Sequence, residues 1–232
     1  HHDNPMLMAD QTFMLQRIIR QVSLKHRMGA TFMSKPVNGD AGTGMHMHVS
    51  LLDENGKNIF STKGGAEASD ALLHSIGGML ATLPESMLVL APNVNAYRRF
   101  EAGQCVAVSR TWGIENRTVA LRVPFAAGNE KAWRIENRIA GGDANVYLML
   151  ASALAGIHYG MTNKIDPGPA TDDFAEEVDE GMPMTFDSAL EAFKEGKILP
   201  EYLGKDYVKL YSEVKRLETE AFYEHISQRE LD

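Results

Sequence analysis

The chain has 232 residues, of which 44% are hydrophobic and 23% are charged, a balance typical of a soluble globular protein with a sizeable core. Its formal net charge is −8, and an acidic chain without a long Lys/Arg run is repelled by nucleic-acid phosphates and anionic membranes. No apolar run reaches the roughly 18 residues of a membrane span. The one cysteine, Cys105, allows no internal disulfide. We therefore expect a cytoplasmic protein that binds neither nucleic acid nor membrane.

Three segments of the first half have clear secondary-structure patterns. Apolar residues recur every three or four positions over 8–28, which predicts an amphipathic helix. Ala30–Lys35 is short, apolar and followed by a proline, which predicts a strand. Residues 66–90 are rich in Leu, Met and Ala and predict a second helix, after which Tyr97–Arg110 reads as a polar loop.

A glycine-rich loop, Gly39–Gly44, leads into a strictly alternating segment, Met45–Asp53. The alternation predicts a strand with His46, His48 and Ser50 on one face, and the Glu-Asn-Gly that follows predicts a hairpin turn. Two imidazoles on one strand face can bind a divalent metal or donate to phosphate oxygens. The same pattern also suits a solvated sheet face, so the residues alone leave both interpretations open.

The second half predicts further strands and helices, without repeats or a linker, in one α+β domain. The elements are the strands Thr118–Val123 and Trp133–Ile139, a buried helix Ala144–Met161 capped by Asp143, and helices near 187–195 and 205–227. Residues 165–185 are acidic and rich in proline, which predicts an excursion over the surface.

Within Trp133–Ile139, alternation places Arg134, Glu136 and Arg138 on one face. These side chains can form a structural ion-pair ladder. Alternatively, the carboxylate can ligate a metal while the guanidinium groups hold anionic substrate oxygens. Five more arginines lie within 25 residues, a density that in an acidic protein favours an anionic ligand over a solvated basic face: Arg98, Arg99, Arg110, Arg117 and Arg122.

Four blocks of the sequence, in this order and spacing, resemble the glutamine synthetase family over nearly the whole chain. They are ATFMSKP with GDAGTGMHMHVSL, NAYRRFEAGQ, ENRTVALRVP and RIENRIAGGDANVYL. The resemblance implies an α+β fold with an antiparallel curved sheet and flanking helices. It also implies that residues 1–232 are the C-terminal portion of the catalytic domain, without the family's N-terminal β-grasp domain and first catalytic strands.

The resemblance implies a carbon–nitrogen ligase that uses ATP and Mg²⁺ or Mn²⁺ to join an amine to L-glutamate through γ-glutamyl phosphate. His46 and Glu136 would ligate the metal. The residues implied for ATP are His48, Ser50, Arg122, Lys131 and Arg134. Those implied for glutamate are Gly42, Arg99 and Arg138. Arg117 would neutralise the transferring phosphoryl group, with Arg138 as the second catalytic residue. Because Arg117 and Arg122 are an odd number of positions apart, we expect Arg117 to lie at a bend or before the strand.

Within the family, the sequence is most similar to the γ-glutamylputrescine and γ-glutamylpolyamine synthetase branch. Cys105 stands where ammonia-using members carry a flap glutamate, and Ala41 stands where they carry an asparagine. The loss of an anionic flap residue favours a polyamine-like amine over ammonium. The alternatives are an ammonia-using glutamine synthetase and a non-catalytic relative with an assembly role. The family also implies a homo-oligomer of stacked rings with shared active sites, so the 232 residues alone are expected to be inactive.

Overall fold

The computed structural model describes residues 3–62, 64–101, 106–126, 128–175 and 177–226. The helices within these ranges are α1 (Pro5–Lys25), α2 (Asp70–Leu90), α3 (Val94–Tyr97), α4 (Val146–Asn163), α5 (Phe186–Lys194), α6 (Leu199–Leu203) and α7 (Lys205–Tyr223). The strands are β1 (Met47–Val49), β2 (Trp112–Ile114), β3 (Leu121–Val123) and β4 (Ile135–Asn137), and a 3₁₀ turn spans Glu130–Ala132. The expected α+β class is confirmed.

The four strands form one sheet in the order β1-β4-β3-β2. β1 and β3 both pair with β4 in antiparallel register, as the family resemblance implies. The edge strand β2 departs from this expectation because it pairs with β3 in parallel, and its three residues were not predicted as a strand. After β2 the chain turns at Glu115, whose φ of 54° is left-handed, and bends through 117–120 before it enters β3.

The strand predicted at Ala30–Lys35 is wrong. This segment has no strand partner; its backbone instead bonds to side chains and to the glycine loop. The Lys35 N–H donates to Asn95 Oδ1 at 2.8 Å, and the Ser34 carbonyl accepts the Thr43 N–H at 2.7 Å. The backbone groups at the end of this segment are therefore used by side chains and by the glycine loop, and not by a sheet ladder.

The predicted cap of the long buried helix is also wrong. Asn145 caps α4, since its side chain accepts the Tyr147 and Leu148 N–H groups. Asp143 instead accepts hydrogen bonds from the Ser34 hydroxyl at 2.6 Å and from Asn93 at 2.9 Å. Its carboxylate therefore ties the start of the helix to two preceding loops.

The helical layer is organised around α2 and α4, which cross in close contact, with α5 against α2 and α7 against α5. Among the described residues, α2 is the one helix long and apolar enough to cross a membrane by length and composition. Two-thirds of its apolar window (67%) is buried inside the protein, so it serves here as a core helix. α1 packs on α4 along one side and leaves much of its apolar surface exposed, including Phe13 and Ile18, each 51% exposed.

Candidate active site

A row of polar side chains crosses three strands of the sheet. His48 on β1 lies directly opposite Glu136 on β4, and Arg122 on β3 lies opposite Glu136 from the other side. Directly opposed residues on neighbouring strands point to the same face of a sheet. His48 and Arg122 are 74 positions apart in the sequence. The two antiparallel pairings with β4 bring them into one polar row.

Glu136 is the centre of this row and is 3% exposed. Its Oε2 accepts from Arg122 Nη1 at 2.8 Å, and its Oε1 accepts from Arg138 Nη1 at 3.1 Å. His46 Nδ1 lies 3.0 Å from Oε1, and His48 Nε2 lies 3.7 Å from the same atom. The predicted strand face is thus confirmed, and the two histidines and the arginines meet at one carboxylate.

The contacts keep Glu136 ionised. Burial works to raise the pKa of this carboxyl group, but the hydrogen bonds from His46 and Arg122 and the charges of Arg138 and Arg122 outweigh it. Together they lower the pKa of Glu136 from 4.5 to about 2. A buried carboxylate that is held in its charged form is suited to binding a cation or orienting cationic side chains.

Arg134 extends the row beyond Glu136. Its Nε donates to His48 Nδ1 at 3.3 Å, and its Nη1 donates to the Ala132 carbonyl at 2.7 Å. Burial lowers the pKa of His48, the nearby Glu136 carboxylate opposes that shift, and the charge of Arg134 adds to it. The neutral imidazole that results can accept a hydrogen bond or ligate a metal.

Glu115 belongs to the same cluster, although sequence reasoning did not single it out. Both of its oxygens accept from Arg122 Nη2, at 3.2 and 3.1 Å, and it also accepts the Phe125 N–H. Arg122 therefore bridges two carboxylates, one buried and one at the rim. The sequence offered one indication of this residue, because Glu115 lies only two residues before Arg117 in the block ENRTVALRVP. Its contact with Arg122, however, depends on the turn after β2.

Gly42 packs against the Arg99 side chain and is not part of the polar row that crosses the sheet. A Cβ at Gly42 would lie 2.6 Å from Arg99 Cγ and 2.8 Å from the Ser34 carbonyl oxygen, so only glycine fits. Arg99 is 4% exposed and donates to the Ile139 carbonyl at 3.1 Å. A Cβ at Gly44 would be 3.2 Å from both Arg99 Nη2 and His46 Nε2. The Arg99 guanidinium group and the His46 ring therefore both lie next to Gly44 in the glycine loop.

The remaining predicted residues make weaker connections to the row. Arg117 lies in the bend before β3, as expected, and is exposed; its charge acts on Glu115 and Arg138. Among the described residues, neither Ser50 nor Lys131 has a side-chain hydrogen bond or ion pair that joins it to the row; Ser50 follows β1 and Lys131 lies in the exposed 3₁₀ turn. Cys105 lies outside the described residues.

Two of the arginines have unused donors. The Nε atoms of Arg122 and Arg138 are buried and have no hydrogen-bond partner within the described ranges. Buried donors are normally paired, so these groups have binding capacity that the described part of the protein does not satisfy. Anionic oxygens of a ligand would supply the missing acceptors.

His46 and Glu136 also suit a divalent cation. Ligand atoms in neighbouring positions of an octahedral ion with bonds of about 2.1 Å are about 3 Å apart. The 3.0 Å between His46 Nδ1 and Glu136 Oε1 equals that spacing but is also a hydrogen-bond distance, so a cation that bound both atoms would replace the hydrogen bond from His46. Within the described ranges, however, no group of three or more His, Cys, Asp or Glu side chains could hold a metal ion. His46 and Glu136 are therefore a pair of candidate ligands in the described part of the chain.

Comparisons with known proteins agree with this geometry. The chain is 39% identical over 240 residues to the γ-glutamylputrescine synthetase PuuA of Escherichia coli, covering 100% of this chain and 49% of that protein. It is 34% identical to a glutamine synthetase of Pyrococcus abyssi (99% and 53% covered) and 33% identical to a γ-glutamylethanolamide synthetase of Streptomyces coelicolor (99% and 49% covered). The chain therefore spans about half the length of these curated relatives.

A solved structure supports the same relationship. Apo GmaS without ligand superposes with a TM-score of 0.86 at 27% sequence identity, over 98% of this chain and 53% of that one. The sequence profile of the catalytic domain of glutamine synthetase matches residues 1–232. The chain belongs to the glutamine synthetase catalytic-domain family.

Proposed function

We propose that this chain is part of an ATP-dependent ligase that joins an amine to the side-chain carboxylate of L-glutamate. The observation that supports this most is the convergence of Arg122, Arg138, His46 and His48 on the ionised Glu136. Phosphoryl transfer depends on cations placed around spreading negative charge, and this cluster supplies them. Because the chain spans about half the length of its relatives, we propose the activity for the longest natural polypeptide that carries this sequence.

In the first step, an oxygen of the glutamate side chain attacks the γ-phosphorus of ATP. The bond from that phosphorus to the ADP oxygen breaks, and γ-glutamyl phosphate forms. In this proposal, Arg122 and Arg134 hold nucleotide phosphates and Arg138 holds a glutamate carboxylate, as the family resemblance implies. His46 and Glu136 would hold a divalent cation, which would supply positive charge to neutralise the nucleotide phosphates. Arg117, which is exposed and makes no ion pair within the described residues, is free to meet the transferring group.

In the second step, the amine nitrogen attacks the acyl carbon, phosphate leaves, and the nitrogen loses a proton. Phosphorylation has made this step possible by turning a poor leaving group into a good one. We propose a polyamine-like amine, because Cys105 and Ala41 replace the polar residues of ammonia-using members. Two of the relatives are named for other amines, putrescine and ethanolamine, which is consistent with this choice. We further propose a cytoplasmic homo-oligomer, as the family resemblance implies.

The test is phosphate release from ATP and L-glutamate with putrescine, ethanolamine or ammonium as the acceptor. Turnover with an amine and little with ammonium supports the proposal. A preference for ammonium would make the protein a glutamine synthetase, the function named for the Pyrococcus relative. No turnover with any acceptor would favour a non-catalytic relative. The retention of the whole His46, Glu136, Arg117 and Arg138 set argues against that last outcome.

A further inference from the structure

A second concave site lies between α5, α6 and α7. It is a cavity of about 500 Å³, within the range of roughly 300–1,000 Å³ that is usual for small-molecule sites. Lys205, Val208, Lys209 and Ser212 line it from α7 at spacings of three and four residues, which is one face of a helix, and Lys194 lines it from the end of α5. None of its lining residues belongs to the candidate active site.

The cavity is positively charged, although the protein as a whole is acidic. Lys194, Lys205 and Lys209 form no ion pair within the part of the chain that the structure describes. Arg216 also lines the cavity, but its guanidinium group is occupied, because Glu213 accepts from its Nε at 3.1 Å and Glu220 accepts from its Nη1. Glu213 lines the cavity as well, so among the described lining residues its one carboxylate stands against Arg216 and the three ammonium groups, and the cavity keeps a net positive charge.

A buried hydroxyl group lines the same cavity. Ser212 is 4% exposed, and its Oγ is buried without a hydrogen-bond partner among the described residues. Buried hydroxyl groups are normally paired, because an unpaired one loses its hydrogen bonds to water without replacement. An oxygen atom of a ligand that reached this hydroxyl group, after a rotation of the Ser212 side chain towards the cavity, would provide the missing partner, and the three lysines favour an anionic ligand.

We propose that this cavity binds a small phosphate monoester. Lysine ammonium groups act as point charges that suit a tetrahedral phosphate, whereas planar carboxylates are best matched by a guanidinium fork, and the fork of Arg216 is already taken. α7 begins at Lys205 without a side-chain cap, but Asp206 in its first turn offsets the positive potential of the first N–H groups, so the proposal rests on the lysines. Pro200 and Val208 provide apolar surface for the organic part of the ligand.

The experiment is calorimetric titration of glycerol 3-phosphate into the longest natural polypeptide that carries this sequence, with glycerol as the uncharged comparison. We expect saturable binding of glycerol 3-phosphate alone. The double variant Lys205→Gln/Lys209→Gln should weaken it at least ten-fold, and Ser212→Ala, a milder change that keeps the helix face intact, should weaken it several-fold. Thermal unfolding of each variant checks that it is folded.

Two matched controls locate the binding. Lys215→Gln removes a lysine from the same helix that is paired with Glu218 at 2.7 Å and does not line the cavity, so the affinity should not change. Arg134→Gln alters the candidate active site and should also leave this binding unchanged. The proposal is overturned if no saturable binding occurs, if the double lysine variant binds as tightly as the parent, or if Arg134→Gln abolishes binding.

Discussion

Glu136 is buried in the middle of a sheet and yet carries a charge at neutral pH. Taking a carboxylate out of water is costly, and only a full set of partners makes it tolerable. Arg122, Arg138 and His46 provide that set, since each places a nitrogen within 3.1 Å of a Glu136 oxygen. Removal of the negative charge would leave the buried Arg138 without its Glu136 counter-ion and would leave Arg122 paired with Glu115 alone.

Replacement of Glu136 by Gln is expected to lower amine-dependent phosphate release by roughly two to three orders of magnitude. The neutral amide removes a metal ligand and no longer balances Arg122 and Arg138. The matched control is Glu115→Gln, which also loses a contact with Arg122 but at a side chain that is 49% exposed. Steady-state kinetics on both variants check this, and equal losses in the two would contradict a special role for Glu136.

At the scale of elements, α2 and α4 meet backbone to backbone. A Cβ added to Gly78 would lie 2.1 Å from the Gly156 carbonyl oxygen and 2.4 Å from the Gly160 Cα. Gly160 is equally tight, because its added Cβ would lie 2.0 Å from the His74 carbonyl oxygen. The crossing therefore depends on glycine at several positions, and it holds the helical layer against which the sheet packs.

Gly78→Ala is expected to destabilise the fold by about 1–3 kcal/mol or more, because the two helices must separate to admit the methyl group. Gly29→Ala is the control, since nothing lies within 4 Å of a Cβ at that position. Urea unfolding followed by circular dichroism measures the free energy of unfolding of each variant. If Gly78→Ala unfolds at the same urea concentration as Gly29→Ala, α2 and α4 do not pack in backbone contact at Gly78.

The acidic segment 165–185 is attached to β2 and its flanking loops. The Trp112 indole N–H donates to the Gly168 carbonyl at 3.1 Å, and Asn116 donates to the Thr171 carbonyl at 2.9 Å. Arg110 binds Asp179 through Nε at 2.5 Å and Nη2 at 3.1 Å. The segment is thus an excursion over the surface, as predicted, but one with defined anchor points.

The Arg110–Asp179 ion pair predicts a pH dependence of stability. The hydrogen bond from Arg110 lowers the pKa of Asp179 from 3.8 to about 2 despite partial burial, so the folded state binds a proton less readily than the unfolded state. The stabilisation is complete above the unfolded pKa and is lost as the pH falls towards 2. Asp179→Asn should therefore cost up to about 1 kcal/mol at neutral pH and almost nothing near pH 2. Unfolding curves across this range test it; a cost that persists near pH 2 would exclude the ion pair as its cause.

At the scale of the whole molecule, the described residues leave two features incomplete. His46 and Glu136 are only two predicted metal ligands, and no group of three or more His, Cys, Asp or Glu side chains that could hold a metal ion exists within the described ranges. The apolar surface of α1 is also largely exposed, including Phe13, Ile18 and Val22, the last 46% exposed. Exposed apolar surface of this extent marks a site of interaction or of aggregation.

The 232-residue chain expressed on its own is expected to show no amine-dependent phosphate release, because two protein ligands do not hold a divalent cation firmly at a phosphate site. The longest natural polypeptide that carries the sequence is expected to turn over under the same conditions. A coupled phosphate assay on both preparations measures this. Sustained turnover by the 232-residue chain would show that the ligands present in it are sufficient.

The sequence predicted most of the helices and three of the four described strands of the sheet, because their patterns are local. The predicted helices over 8–28, 66–90 and 144–161 correspond to α1, α2 and α4 within a few residues. The strand at Ala30–Lys35 was wrong because an apolar run does not reveal whether a partner strand is available. β2 was missed because Trp112–Ile114 is short and contains a glycine, and it becomes a strand only through its pairing with β3.

The sequence by itself determined the family, the strand faces and the residue types of the candidate site, since alternation along β1 and β4 is a property of the chain. Only the tertiary structure decided which of those residues meet. Antiparallel register brought His48, Glu136 and Arg122 into one row, the turn after β2 added Glu115, and packing buried Arg99 beneath the glycine loop. The cavity beside α7 likewise exists only because three helices converge there. Such contacts join residues far apart in the chain, and no local pattern encodes them.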